Sequence, residues 1–157
     1  MHGDFSNVTF DAARRYRRVL QQQGRVTLDA DTNEGSALLL HALRALARDL
    51  IGEHGGHEEA FEIGAARNPE GEPIAGDLAV APGTYYVGGI RCEAEPGLRY
   101  TNQADRFNVP SLEAGTYLVY LDVWERWISH LQDPTLREVA LAGPDTAGRA
   151  QIVSQLQ

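Results

Sequence analysis

Two histidines and a glutamate lie close together in a glycine-rich stretch, at His54, His57 and Glu58. Two imidazoles and one carboxylate are enough to hold a catalytic zinc ion, with a fourth position left for water. The spacing is not that of a His-Glu-x-x-His helix, and the flanking glycines give the side chains no rigid support. We therefore interpret the stretch as a solvated loop and rank a metal-dependent hydrolase as the least favoured function.

A second group of possible ligands, Asp29-x-Asp31-x-Asn33, has the spacing of the first half of a calcium loop. An EF-hand loop needs glycine at its sixth position and a bidentate glutamate at its twelfth, where this chain has Glu34 and Leu40. Acidic side chains instead suit the positively charged N-terminus of a helix. The carboxylates are therefore predicted to cap a helix rather than to bind a cation.

No catalytic group of residues is evident elsewhere in the sequence. Asp122 and Glu125 would fall on opposite faces of a regular strand, and no Ser/His/Asp or Cys/His arrangement is visible. Cys92 is the single cysteine, so the chain cannot form an internal disulfide. We predict that the protein is not an enzyme and has no catalytic residue, no metal ligand and no cofactor.

The basic residues are concentrated near the beginning of the chain. All 14 are arginines, and the net charge is −8. Residues 1–28 hold five of them against Asp4 and Asp11, a net charge of +3, so the remaining residues carry −11. Because an acidic body repels a phosphate backbone, we expect a head-to-tail protein contact and no nucleic acid. The predicted docking residues are these five arginines, Arg14, Arg15, Arg17, Arg18 and Arg25.

Hydrophobic periodicity predicts an α+β fold whose helical part comes first. Helices are expected over about 10–23 and 32–51, and residues 1–52 are expected to form a docking and oligomerisation segment. On the second helix, four leucines recur at spacings of four, three and four residues: Leu39, Leu43, Leu46 and Leu50. This leucine seam packs either on the chain's own sheet, which we favour, or on copies of itself.

The rest of the chain has the composition of β-structure. A loop rich in Gly, Glu and Pro is expected over 53–76, and a small antiparallel β-sheet or β-sandwich over about 77–141, in a module of residues 77–142. Residues 117–127 are aromatic and β-branched with apolar side chains on both faces, which predicts a long central strand. Residues 143–157 are expected to be a linker or the start of a further element, such as a helix. No apolar run approaches the ~20 residues that a membrane span requires, so no membrane insertion is expected.

Four segments together resemble a known family. The first begins with Gly3-Asp4-Phe5-Ser6 and continues to Gln22-Gln23-Gly24-Arg25-Val26-x-Leu28-Asp29-Ala30-Asp31. The other three are Pro82-Gly-x-Tyr-Tyr-Val-x-Gly89-Ile90, Tyr117-Leu-Val-Tyr-Leu-Asp-Val-Trp-Glu-Arg126 and Asp133-Pro-x-Leu-Arg-Glu-Val-Ala-Leu-x-Gly143-Pro. In combination they resemble the N-terminal module of an uncharacterised bacterial family associated with phage-tail-like contractile injection systems. The chain departs from that family at Thr32, where a large aromatic residue is expected.

The resemblance implies a non-enzymatic structural component of a contractile particle, baseplate-associated or fibre-like. Its N-terminal segment would dock on baseplate or sheath proteins, and the chain would form a homo-oligomer, for which a trimer is the expectation. Assembly would take place in the bacterial cytoplasm, with extracellular release left open.

A carbohydrate- or receptor-binding module of a tail appendage is the alternative function. It would use exposed aromatic side chains from the second half of the chain, among Tyr85, Tyr86, Tyr100, Trp124 and Trp127. Aromatic rings present an apolar face on which a sugar ring can pack. The same residues would otherwise belong to the core.

Overall fold

The computed structural model describes residues 3–6 and 9–157, so four positions of the expected docking segment, Met1, His2, Asn7 and Val8, lie outside the described residues. The described part contains one α-helix and seven strands. They are α1 (Asp29–Ile51), β1 (His54–Gly56), β2 (Ile63–Arg67), β3 (Pro73–Val80), β4 (Gly83–Val87), β5 (Ile90–Ala94), β6 (Leu121–Ile128) and β7 (Arg149–Leu156). The predicted α+β class is confirmed.

Helix α1 confirms the second predicted helix and begins three residues earlier than expected. Its first turn holds Asp29 and Asp31, and the Leu28 N–H donates to Asp31 Oδ2 at 3.4 Å, as in one half of a capping box. The hydroxyl of Ser6 also donates to Asp29. The helix ends at Ile51 and is followed by Gly52, whose φ of +97° suits a residue without a Cβ. The carboxylates thus occupy a helix start, as predicted.

The helix predicted over 10–23 is wrong. A single 3-10 turn forms at Ala12–Arg14, capped by the Asp11 side chain, and it ends at Arg15 with a φ of 57°. In a continued helix, Arg14 would lie one turn from both Arg17 and Arg18, and like charges at these spacings repel. The remaining residues up to the start of α1 have no regular structure.

The strands form three small sheets. Their orders are β1-β4-β5, β2-β3 and β6-β7. The predicted hairpin of β4 and β5 is confirmed, with Tyr85 opposite Cys92. Its two-residue turn is Gly88-Gly89, with φ values of 57° and 79°. Positive φ at both positions is the requirement of the tight turn that matches strand twist.

The loop predicted over 53–76 is wrong, because this range contains β1, β2 and the start of β3. Glycine content was the reason for that prediction, yet glycine is what allows β1 to pair with β4. A Cβ on Gly56 would lie 3.1 Å from the Thr84 carbonyl oxygen and closer still to the Tyr85 ring. A side chain at this position would therefore push the two strands apart.

Two further expectations about strands need correction. The long central strand predicted over 117–127 is shorter, since β6 begins at Leu121, and its sheet has two strands in the described part of the chain. The segment 143–157, expected as a linker or the start of a helix, contains strand β7. Pairing with β6, which lies more than twenty residues away, is not visible in local sequence patterns.

Contacts between Cα atoms divide the chain into two compact units. Unit 1 combines Met1–Leu50 with Arg126–Gln151, and unit 2 combines Ile51–Glu125 with Ile152–Gln157. In the described residues, no helix is both long enough and apolar enough to span a membrane.

The core of unit 2 is built on Val80, Ala94, Tyr100 and Leu156. The buried side-chain amide of Gln103 binds the backbone of Leu156. The Leu156 N–H donates to Gln103 Oε1 at 2.6 Å, and Gln103 Nε2 donates to the Leu156 carbonyl at 3.2 Å. Both polar ends of the amide are satisfied, which a buried side chain requires. The end of the chain is thereby held in the core.

A buried carboxylate ties strand β3 to the segment after β5. Asp77 accepts hydrogen bonds from the Thr101 N–H at 3.1 Å and the Thr101 hydroxyl at 2.8 Å. Arg99 Nη1 lies 3.3 Å from Asp77 Oδ2, and the Asp77 side chain is 3% exposed. Loss of the Asp77 carboxylate would leave the Thr101 donors without their acceptor, which would lower the free energy of unfolding.

We expect Asp77→Ala to lower the free energy of unfolding by about 1–3 kcal/mol, because two partly buried donors lose their acceptor. Urea unfolding measured by circular dichroism checks this value. The matched control is Asp122→Ala, at an exposed position of β6, which should change the free energy by less than about 0.5 kcal/mol. Equal losses for the two variants would contradict a structural role for Asp77.

The thiol of Cys92 is 1% exposed, and burial raises its pKa. Because the thiolate is the reactive form, we expect iodoacetamide at pH 8 to leave the native protein unmodified and to alkylate it fully in urea. Mass spectrometry measures the fraction modified. Fast alkylation without denaturant would show that the β4–β5 hairpin opens readily.

Candidate functional site

The leucine seam of α1 faces solvent. Its members are more than half exposed: Leu39 63%, Leu43 55%, Leu46 54% and Leu50 77%. This differs from the expectation that the seam packs on the chain's own sheet. Neighbouring exposed apolar side chains of this kind are a candidate interaction surface.

A different stripe of the same helix is covered by its own unit. Leu38 is 5% exposed, and it lines a groove of about 450 Å³ together with Phe10, Tyr16 and Ala45. The centroid of the Phe10 ring lies 5.2 Å from that of His41. Since residues rotate by about 100° along a helix, this stripe and the seam are about a quarter turn apart. Residues before α1 therefore cover this stripe and reach the seam only at Leu46, which also lines the groove and is still 54% exposed.

All five predicted docking arginines are exposed. Arg14 has an ion pair with Asp11, at 3.7 Å. In the described residues, no ion-pair partner is found for the other four, Arg15, Arg17, Arg18 and Arg25. Residues 12–28 contain five arginines and no acidic residue, so they form a basic segment on unit 1. Arginine suits such a contact because its planar guanidinium binds carboxylates with two parallel hydrogen bonds.

Unit 2 has an aromatic cleft that the sequence did not indicate. Its volume is about 450 Å³. Its walls come from β1, β2, β4, β6 and β7 and from the residues just before β2 and β6, namely His54, Phe61, Ile63, Tyr85, Val87, Val119, Tyr120, Leu121 and Leu156. The centroids of the Phe61 and Tyr85 rings are 5.7 Å apart. His54 Nδ1 lies 2.9 Å from the Tyr85 hydroxyl. An apolar cleft with a few polar groups is the usual form of a binding site.

One signal in the sequence could have revealed this cleft. Phe61 and Ile63 are isolated apolar residues in a stretch that is otherwise acidic and glycine-rich. Large apolar side chains in such surroundings need a packing partner, which a solvated loop does not offer. The partner, Tyr85, is more than twenty residues away, so its position was beyond sequence reasoning.

The geometry does not support a metal site at His54, His57 and Glu58. His54 is hydrogen-bonded to Tyr85, whereas the His57 Nδ1 lies 3.8 Å from Glu58 Oε2 on the surface. Across the residues that the structure describes, no three His, Cys, Asp or Glu side chains are grouped closely enough to hold a metal ion.

The aromatic residues of the carbohydrate alternative have several different environments. Tyr100 is buried in the core of unit 2, with the Arg106 guanidinium 4.9 Å from its ring centroid. In unit 1, Trp127 packs against Phe5, and a Cβ on Gly3 would lie 2.5 Å from Trp127 Cδ2. Both rings are therefore used in packing and offer no open platform to a sugar.

Leu38 and Leu39 are adjacent in sequence but opposite in exposure, which allows a direct test of the two stripes. We expect Leu38→Ala to lower the free energy of unfolding by about 2–3 kcal/mol, and Leu39→Ala to change it by less than about 0.5 kcal/mol. Chemical denaturation at submicromolar concentration, where copies are separate, measures both values. A large loss for Leu39→Ala would contradict an exposed seam.

The chain matches the family of unknown function DUF6519 over residues 1–157. No curated protein and no solved structure is significantly similar to it. Because the match covers every residue, the protein belongs to the DUF6519 family.

Proposed function

We propose that the chain is a non-enzymatic structural component of a phage-tail-like contractile injection particle, baseplate-associated or fibre-like. The leucine seam joins copies of the chain, and the basic segment docks on an acidic protein surface of the assembly. The observation that carries the proposal is the seam itself, four leucines on one helix that are each more than half exposed. The particle class comes from the resemblance of the sequence motifs.

The spacing of the seam favours helix–helix association. Intervals of four, three and four residues place apolar side chains on one narrow stripe, as in a coiled coil of two heptads. Fibre-like components are commonly built as parallel bundles, and a trimer is the expected assembly. The exposed basic segment then remains available for a neighbouring protein in the baseplate or sheath.

Magnitudes indicate that the seam alone gives weak association. Full burial of a leucine contributes about 1.5–3 kcal/mol, so covering the exposed parts of four gives about 4–7 kcal/mol per copy. Association costs an estimated 4–15 kcal/mol in lost freedom of movement. A second contact is therefore needed for a stable assembly, and the unpaired arginines are suited to supply it.

The test is incorporation into particles purified from a producing bacterium. We expect Leu43→Glu/Leu50→Glu and Arg17→Glu/Arg18→Glu each to reduce the incorporated chain at least tenfold, because one removes apolar contact and the other reverses charge. Quantitative immunoblotting of purified particles measures the loss.

The matched control is Arg67→Glu/Arg137→Glu, which makes the same change in charge at exposed positions outside the basic segment. This control should be incorporated like the natural chain. Absence of the natural chain from purified particles would overturn the proposal, and so would full incorporation of both test variants.

A further inference from the structure

We infer that the aromatic cleft of unit 2 is the docking site for the basic segment of a second copy of this chain, so that copies join head to tail. The inference rests on the proposed function, since it names the acidic surface that the basic segment meets. The segment that docks is residues 14–20, Arg-Arg-Tyr-Arg-Arg-Val-Leu.

The first argument is the distribution of charge. Unit 2 has thirteen acidic residues and four arginines, a net charge of −9, whereas unit 1 has ten arginines and nine acidic residues, a net charge of +1. The arginines of unit 1 are concentrated in residues 12–28, which hold five and no carboxylate. Opposite charge on two patches of one chain steers head-to-tail encounter and disfavours pairing of like patches.

The second argument is the position of carboxylates around the cleft. Glu53 precedes the cleft residue His54, and Glu62 lies between the cleft residues Phe61 and Ile63. Glu59 belongs to the turn that leads into Phe61, where its carbonyl accepts the Glu62 N–H at 2.9 Å. All three glutamates are exposed, and the described residues offer them no ion-pair partner. We call these three exposed carboxylates, each within two residues of a cleft residue in the sequence, the acidic rim, and the apolar cleft residues the floor.

The third argument is the composition of residues 14–20. Tyr16 and Leu20 are exposed by 56% and 68%; Tyr16 stands between two pairs of arginines, and Leu20 follows them after Val19. Beyond the 3-10 turn that ends at Arg14, the segment has no helix or strand, and to bind a second copy Tyr16 must leave the groove that it lines beside Leu38. An aromatic and an aliphatic side chain suit the floor of Phe61, Tyr85 and Val87, and Arg17 and Arg18 suit the carboxylates of the rim.

The His54–Tyr85 hydrogen bond gives the floor a fixed polar position. The two rings are stacked with centroids 6.2 Å apart, and the Tyr85 hydroxyl accepts from or donates to His54 Nδ1. A tyrosine that enters the cleft finds a polar partner there for its own hydroxyl, which a buried tyrosine needs. This favours Tyr16 over Leu20 as the side chain that enters most deeply.

The test is reciprocal charge reversal in the full chain, measured by sedimentation velocity in low salt. The segment variant is Arg17→Glu/Arg18→Glu, and the rim variant is Glu59→Arg/Glu62→Arg. We expect each variant alone to lose concentration-dependent self-association. Mixed in equal amounts, they should regain self-association, because the natural segment meets the natural rim and the reversed segment meets the reversed rim, each with opposite charge.

Regained association in the mixture also shows that both variants are folded, since a misfolded rim or segment could not restore binding. The matched control is Glu70→Arg/Glu72→Arg, at exposed positions in the turn between β2 and β3, which should associate like the natural chain. Tyr16→Ala should weaken association at least tenfold, and raising NaCl from 50 to 500 mM should weaken it as well.

Two results would overturn the inference. One is a natural chain that stays monomeric at 100 μM in low salt. The other is a pair of charge variants that associate as strongly as the natural chain, which would leave the leucine seam as the contact between copies. If the variants self-associate normally yet are absent from particles, the inference fails while the proposed function stands.

Discussion

Helix α1 has two apolar stripes about a quarter turn apart, and its own unit covers one of them. Leu38 is buried where residues 10–17 lie along the helix, and this contact holds the N-terminal residues in an irregular conformation. The seam of Leu39 and its neighbours is left in solvent. An apolar stripe of a helix is normally covered, so this exposed stripe is the surface that the proposed self-association would bury.

The basic segment is exposed for an electrostatic reason. Four arginines within five residues cannot share one helix face, and a left-handed backbone at Arg15 ends the single 3-10 turn. The guanidinium groups are consequently exposed, and within the described residues Arg14 alone of the four has an ion-pair partner, Asp11. Charge repulsion within the segment and the exposed seam thus leave the two surfaces that the proposed contacts would use in solvent.

Local and distant interactions explain what the sequence could reveal. Helix α1 and the β4–β5 hairpin were predictable because a capping carboxylate, Gly52 and the Gly88-Gly89 turn act within a few residues. Strands β1, β2 and β7 were missed because their partners lie far along the chain, and because Gly55 and Gly56 resemble loop residues while their role is to admit Tyr85. The seam and the arginines were found by spacing and charge. The cleft was not found in the sequence, because it forms only when Phe61 packs against Tyr85 in the folded chain.

The seam and the basic segment are each weak contacts, so a stable assembly depends on how closely the copies are held together. A seam that contributes about 4–7 kcal/mol per copy barely offsets the cost of association, and surface ion pairs add about 0–1 kcal/mol each before salt screening. Between free copies, association is therefore weak and concentration-dependent, and the shared net charge of −8 opposes it. When a scaffold holds copies side by side, the second contact becomes intramolecular, and the effective concentration rises into the millimolar range. On the proposed arrangement, free copies associate reversibly, and the assembly becomes stable where a particle holds the copies together.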